Sequence, residues 1–377
     1  MKIYKRESTA EKVFRGRGWY VLLLPLRILI SYLYRFGMRA RAAVKRAGGR
    51  IEIGDEPGGA RVISVGNILV GGGGKTPCSM ALAEELAKRG MDPVILTRGY
   101  GSRAEKAGLP VVLSDNRTDA PGTEFLAEKD FNYPDLPSGG YASVFGDEVT
   151  IYRSAGIPVV IDPERRRGAE AARRILHPGY IILDDGFQNI SVDKDMDILL
   201  LDHSDPFCGG RLLPWGRLRE EPGAAARADA VIFTRSGSTE VPAEVSAIVG
   251  DKPVFFARHS YIGIYDREGV KVSEEELRGR KLAVYSGIAL PPHFEVTVRE
   301  YVTEPDLSFR FSDHHEYTAS DISFMMDRTA EGSAFITTEK DWYKSAELFS
   351  RDTDIFMLKI RMIIGDIDRL IELILSV

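Results

Sequence analysis

The chain has 377 residues, 44% hydrophobic and 28% charged, the balance of a globular protein long enough for two domains with full cores; a disordered or fibrous chain is excluded. Its two cysteines, Cys78 and Cys208, lie far apart and its six histidines show no zinc-site spacing, which excludes a disulfide framework and a structural metal module. The net charge of −5 is uneven: residues 1–50 hold thirteen Lys and Arg against Glu7 and Glu11, a net of +11, so the rest carries −16. A basic first segment on an acidic body points to a polyanionic partner, either a membrane surface or nucleic acid.

The first predicted element is a helix over residues 19–38. It is mostly aliphatic and aromatic, and its polar residues Arg27, Ser31, Arg35 and Arg39 recur every four positions, on one narrow stripe. As a membrane-spanning helix it would carry Arg27 deep in the bilayer, at about 2.5–3.5 kcal/mol. As a secretory signal it would have an apolar run broken by arginine and followed by dense positive charge. An interfacial helix, with its aliphatic side in the acyl boundary and its arginines toward phosphates, accounts for the stripe best. A core helix with one wet edge stays open as the plainer reading. The heavy aliphatic content speaks against nucleic acid as the partner.

Arg61 to Val65 reads as a short buried strand. Gly71-Gly72-Gly73-Gly74-Lys75-Thr76 follows, then a helix with apolar residues at helical spacing that stops at Gly90, then a strand from Pro93 to Thr97. This context is that of a phosphate-binding loop. The glycines let backbone N–H groups converge on phosphate oxygens, Lys75 reaches the β- and γ-phosphates of ATP, and the Thr76 hydroxyl ligates Mg2+. The loop is a variant, because the usual first glycine is Leu69. Such proteins need a further acid for the metal at the end of another strand. Tyr180 to Leu183 is that strand, followed by Asp184 and Asp185. More apolar runs, Asp197 to Leu201 and Ala230 to Thr234, alternate with helical stretches. The fold class is therefore α/β: a P-loop NTPase-type parallel sheet with helices on both faces.

Fresh strands at Lys281 to Ser286 and Phe335 to Thr338 mark a second, smaller α/β domain. The expected organisation is a membrane-contacting helix in residues 1–45, a P-loop domain in 46–250 and a C-terminal α/β domain with linker strands in 251–377. The stretch from Ser102 to Tyr141, rich in Gly, Pro, Asp and Ser, reads as a loop insertion. No internal repeat and no low-complexity tract is visible.

Several short stretches, in this order, resemble the tetraacyldisaccharide 4′-kinases of lipid A biosynthesis. They are Val65-Gly66-Asn67 through Gly74-Lys75-Thr76-Pro77, Thr97-Arg98-Gly99-Tyr100-Gly101, Gly146-Asp147-Glu148 and Asp184-Asp185-Gly186-Phe187-Gln188. Further on come Leu212-Leu213-Pro214 to Gly216-Arg217-Leu218-Arg219-Glu220, Phe311-Ser312-Asp313-His314-His315 and Thr338-Glu339-Lys340-Asp341. The resemblance implies transfer of the ATP γ-phosphate to the 4′-hydroxyl of a tetraacylated glucosamine disaccharide 1-phosphate, at the cytoplasmic face of the bacterial inner membrane. It makes Asp147 the catalytic base assisted by His314, and it puts Glu148 with Asp184 and Asp185 among the acids near metal and phosphates. Arg98, Arg165, Arg219 and Glu220 match polar positions of the substrate site. Two positions depart from the pattern: Val149 stands where the family commonly has Pro, and Asn189 where it commonly has His. The rival reading is a peripheral membrane P-loop ATPase that positions partners without a sugar substrate.

Overall fold

Alternating strand and helix signals resolve into a mixed α/β structure whose strands are mostly parallel. The structure, a computed structural model, describes residues 1–5, 26, 28–37, 59–115, 124–130 and 140–377. The chain divides into two units. The larger comprises Val21–Phe131, Tyr152–His259 and Met362–Val377; the smaller comprises Met1–Tyr20, Asn132–Ile151 and Ser260–Arg361.

In the larger unit the strands Ala230–Thr234, Met196–Asp202, Arg61–Gly66, Tyr180–Asp184, Pro93–Thr97 and Val159–Ile161 lie side by side in that order, all parallel. Every residue of Pro93–Thr97, Tyr180–Asp184 and Ala230–Thr234 is buried, the signature of a parallel sheet covered on both faces. On one face Ala169, Ala172 and Ile175 of the helix Arg165–Leu176 pack against Val94, Leu96, Ile181 and Leu183. The register sets Val65 beside both Asp184 and Ile198, and Leu96 beside Leu183. The carboxyl ends of these strands therefore share one edge, where α/β sheets bind their ligands. The stretch read as a loop insertion contributes two edge strands instead, Val111–Leu113, antiparallel to Val159–Ile161, and Leu126–Ala127.

The smaller unit is built on the parallel strands Lys2–Lys5, Leu307–Arg310, Leu282–Ser286 and Ala334–Thr338, with Ile355–Ile364 next to the last. Its core gathers Tyr285, Phe309, Phe335, Trp342 and Phe349. Two features differ from a division at residues 45 and 250. Residues 2–5 form an edge strand, because Tyr4 stacks on Phe309 with ring centroids 5.3 Å apart and turns an edge to Phe324. Residues 132–151 group with the smaller unit, and Met362–Val377 returns to the larger.

Of the N-terminal helix, residues 28–37 are helical; Arg27 and Arg39 lie outside the described residues. For the rest of the stripe, the polar groups find partners on the protein. Ser31 is buried, donating from Oγ to the Leu212 carbonyl and accepting from the Trp215 N–H, both at 3.2 Å. Arg35 pairs with Glu221 at 2.5 Å. Hydrogen-bond partners on the protein draw these polar groups inward, and Leu29, Tyr32, Leu33 and Phe36 are exposed instead. No helix among the described residues is long and apolar enough to cross a membrane.

Candidate active site

The glycine loop leaves the strand Arg61–Gly66 and enters the helix Lys75–Lys88. Its glycines answer to particular neighbours. A Cβ on Gly71 would lie 2.7 Å from the Arg217 guanidinium, and one on Gly73 would lie 2.1 Å from the Asn67 amide nitrogen. Gly74 has φ of 80°, with Met362 Cε 2.9 Å from where its Cβ would be. The leucine in place of the usual first glycine is also explained. Leu69 is buried, pairs with Leu218 as an isolated bridge and donates its N–H to Asn67 Oδ1 at 2.8 Å. It packs with Ile68, Phe187 and Leu199 in the core, a place that glycine could not fill.

Asp184 ends its strand almost fully buried, with the Ser79 and Thr97 hydroxyls each 3.5 Å from its carboxylate. Asp185, the next residue, has φ of 53° and is partly exposed. Arg219 donates to both its oxygens, at 3.0 and 2.8 Å, and Lys75 Nζ lies 3.7 Å away. Burial raises the Asp185 pKa, but Lys75 and Arg219 outweigh it and hold the carboxyl below its ordinary value. Arg165 is buried behind these acids and donates to the carbonyls of Asp162 and Asp184, at 2.6 and 3.2 Å. Lys75, Asp184, Asp185, Arg165 and Arg219 thus gather at one strand edge, with Thr76 on the helix that starts there. Glu220 instead pairs with Arg227 through two hydrogen bonds, at 2.8 and 3.0 Å, and Arg98 pairs with Glu105 at 2.5 Å.

In the smaller unit Asp147 opens the helix Asp147–Ser154, directly after Gly146 at φ of 106°. Its Oδ2 lies 3.2 Å from His314 Nδ1, 2.8 Å from Lys344 Nζ and 3.4 Å from Lys340 Nζ. His314, at φ of 56°, is held through its N–H by the Gly287 carbonyl at 3.1 Å. The two lysines are four apart on the helix Glu339–Ser345, which Thr338 caps. Asp341, fully buried between them, accepts from the Gly287 N–H at 3.0 Å and from the Thr338 hydroxyl at 2.7 Å, so helix and His314 loop share an anchor. Burial raises the Asp147 pKa, but the His314 hydrogen bond and the charges of Lys344 and Lys340 overcome it, and the carboxyl is held far below its ordinary value. Lys344 is only 3% exposed. Burial lowers its pKa, the Asp147 charge raises it, and the net is upward.

The sequence placed Asp147 in the P-loop domain and His314 in the C-terminal one. Both belong to the smaller unit, so their pairing does not wait on any rearrangement of the two units. Glu148 follows Asp147 in the same helix turn and the same unit. Sequence reasoning gave Lys340 and Lys344 no role; the signals were the stretch Thr338 to Asp341, which contains Lys340, and the spacing of one helical turn between the two lysines. Among the described residues no three His, Cys, Asp or Glu side chains converge on one point.

A family model for tetraacyldisaccharide-1-P 4′-kinases matches residues 19–377. A tetraacyldisaccharide 4′-kinase of Anaeromyxobacter dehalogenans (strain 2CP-C) is 35% identical over 297 residues, 75% of this chain and 72% of the relative. One of Geobacter metallireducens is 34% identical over 336 residues, 88% and 91% of the two. Among solved structures, the "apo" form of LpxK from Aquifex aeolicus in complex with ATP gives a TM-score of 0.68 at 27% identity, covering 94% of this chain and 98% of that one.

Proposed function

The chain belongs to the tetraacyldisaccharide-1-P 4′-kinase family, and on that premise we propose that it transfers the γ-phosphate of ATP to the 4′-hydroxyl of a tetraacylated glucosamine disaccharide 1-phosphate. The product is the 1,4′-bisphosphate. The observation that carries this reading over a simple ATPase is the Asp147–His314 pair at 3.2 Å. A carboxylate so held suits a hydroxyl acceptor, whose proton must leave during transfer.

The glycine loop, Gly71 to Gly74, wraps the phosphates with backbone N–H groups. Lys75 turns from Asp185 to the β- and γ-phosphate oxygens, whose charge it offsets. Thr76, Asp184 and Asp185 supply hydroxyl and carboxylate oxygens, the donor chemistry of a hard cation. Magnesium keeps several waters and takes one or two carboxylates besides phosphate, so a closed protein cage is not required. When bound, it would neutralise charge on the β- and γ-oxygens. Glu148, which the family resemblance put among these acids, lies in the smaller unit beside Asp147. Asp147 orients the 4′-hydroxyl and takes its proton, and His314 fixes the carboxylate. Arg98, Arg165, Arg219 and Glu220 line the polar part of the substrate site, Arg165 as a brace behind the acids. The exposed face of Leu29, Tyr32, Leu33 and Phe36 rests in the acyl boundary of the cytoplasmic leaflet, which makes the protein peripheral or monotopic at the bacterial inner membrane.

The test is incubation with labelled ATP and the acylated disaccharide 1-phosphate. Labelled lipid is the expected product, lost in Lys75→Ala with the fold kept. Phosphate released with no labelled lipid would favour the ATPase reading.

A further inference from the structure

Arg235 follows the strand Ala230–Thr234 in the left-handed conformation, φ 55°, which a residue with a side chain adopts only at a cost. Its guanidinium has two partners: one arm donates to the Asp202 carboxylate, at the end of the neighbouring strand, and the other to the carbonyl of Gly72 in the glycine loop. Asp202 is itself fixed. Its Oδ1 accepts from the Ser204 N–H at 3.0 Å and the Ser204 hydroxyl at 2.7 Å, while Oδ2 takes Arg235. The peptide between Gly72 and Gly73 is therefore held at both ends, its carbonyl by Arg235 and its N–H by the Gly71 carbonyl at 2.7 Å. Thr234, the residue before Arg235, reaches the other end of the loop, its methyl 3.3 Å from where a Gly74 Cβ would stand.

We infer that Arg235, anchored by Asp202, is a positioning residue of the phosphate loop: it ties the Gly72 carbonyl outward to the sheet edge and so presets the loop for phosphate. The inference rests on the nucleotide reading of that loop. The physical reason is entropic. Four consecutive glycines have more backbone freedom to lose than any other sequence, and that freedom must be given up when the loop is ordered. A loop already pinned at its middle peptide spares part of that cost when phosphate binds. A guanidinium suits the task because its planar fork meets a carboxylate and a carbonyl at once, which an ammonium does less well.

The experiment measures binding of a non-hydrolysable ATP analogue by calorimetry, together with KM for ATP and for lipid. Arg235→Ala should bind the analogue about ten- to a hundredfold more weakly, the scale of a lost hydrogen bond to a charged group. Its KM for lipid should stay within about twofold, and Arg235→Lys should recover part of the loss, because one acceptor can still be reached. The inference is overturned if analogue affinity is unchanged, or if both KM values rise together with a fallen melting temperature, which would mark a general structural part. Should Arg235→Ala not fold, Asp202→Asn carries the same test with the same two outcomes, since it keeps the shape of the anchor and removes its charge. Lys75→Ala is measured alongside: unimpaired analogue binding there would sink the nucleotide reading itself, whereas an impaired Lys75→Ala with a normal Arg235→Ala sinks the present inference alone.

Discussion

Asp147, the proposed proton acceptor, is crowded by positive charge, and that decides what kind of base it would be. With an imidazole and two ammonium groups within 3.4 Å of one oxygen, its affinity for a proton in the resting protein is low. A strong base is not what phosphoryl transfer demands: in a loose transition state the nucleophile keeps its proton until late, so orienting the hydroxyl matters first. Asp147→Ala should lose about 10²–10⁴-fold in kcat with ATP affinity kept. His314→Ala should lose less, and the double variant should be no worse than Asp147→Ala, because the two act as a unit; losses that multiply would give His314 a separate task. Lys344→Met tests the charge. Because the folded Asp147 pKa is depressed, the pair's contribution to stability is complete above the unfolded value, about 3.9, and is lost as pH falls through the lower folded one. Removing one cation raises that folded value, so the acid limb of kcat should move to higher pH in the variant, while the acid loss of stability, whose onset the unfolded value sets, should be smaller and be complete at higher pH. An acid limb that does not move would mean Lys344 does not govern Asp147. The stability cost should fall short of the about 3–5 kcal/mol of a buried charge left alone, since Lys340 and His314 remain. The pairing partners Asp147, His314 and Lys340 each sit in one of the short motifs, though the motif gives Lys340 no role; Lys344 does not, and a lysine one turn further on reads as part of a solvated helix face. Burial of Lys344 depends on the packing of a helix against residues nearly two hundred positions earlier.

Among the elements, the glycine loop and the N-terminal helix show what sequence patterns do and do not convey. Strand, loop and helix were all readable, and so was the departure at Leu69. Its reason was not, since the bridge to Leu218 joins residues about 150 apart. Restoring the usual glycine should therefore harm the protein. Leu69→Gly removes a buried side chain and loosens the loop entry, with a loss of about 2–5 kcal/mol, the range for buried leucine truncation. A lower melting temperature with no gain in ATP affinity is the expected result; equal stability would mean that the bridge contributes nothing. For the helix, periodicity placed Ser31 and Arg35 on one stripe, but a stripe does not reveal which side faces the protein. The partners that settle it, Leu212, Trp215 and Glu221, lie on distant loops. The exposed side is the apolar one. Returning a large apolar side chain from an apolar phase to water costs about 1.5–3 kcal/mol, so changing Tyr32, Leu33 and Phe36 together to Gln should weaken vesicle binding roughly tenfold or more. The KM for lipid should rise more than that for ATP. Unchanged vesicle binding would make this face irrelevant to the membrane.

At the scale of the whole molecule, the α/β class with mostly parallel strands followed from alternating signals, whereas the division of the chain did not. Composition and periodicity suggest contiguous pieces; the two units are interleaved, and the chain passes between them five times. A fragment of residues 46–250 should therefore melt without a cooperative transition or fail to accumulate, and a sharp native-like transition would contradict the interleaving. The closing segment of the larger unit has a further consequence. Met362 flanks Gly74, and the helix Ile367–Leu375 packs against the helix Lys75–Lys88 with Leu370, Ile371 and Ile374 fully buried. During synthesis on the ribosome the glycine loop emerges early, but this wall of its unit leaves the exit tunnel after every other described element. Until that segment has emerged, the nascent chain carries a glycine loop without this wall, with the side of its helix that meets Ile367–Leu375 uncovered. Chaperones that hold apolar surface would find it there, and a chain cut before Met362 would leave the loop without this wall.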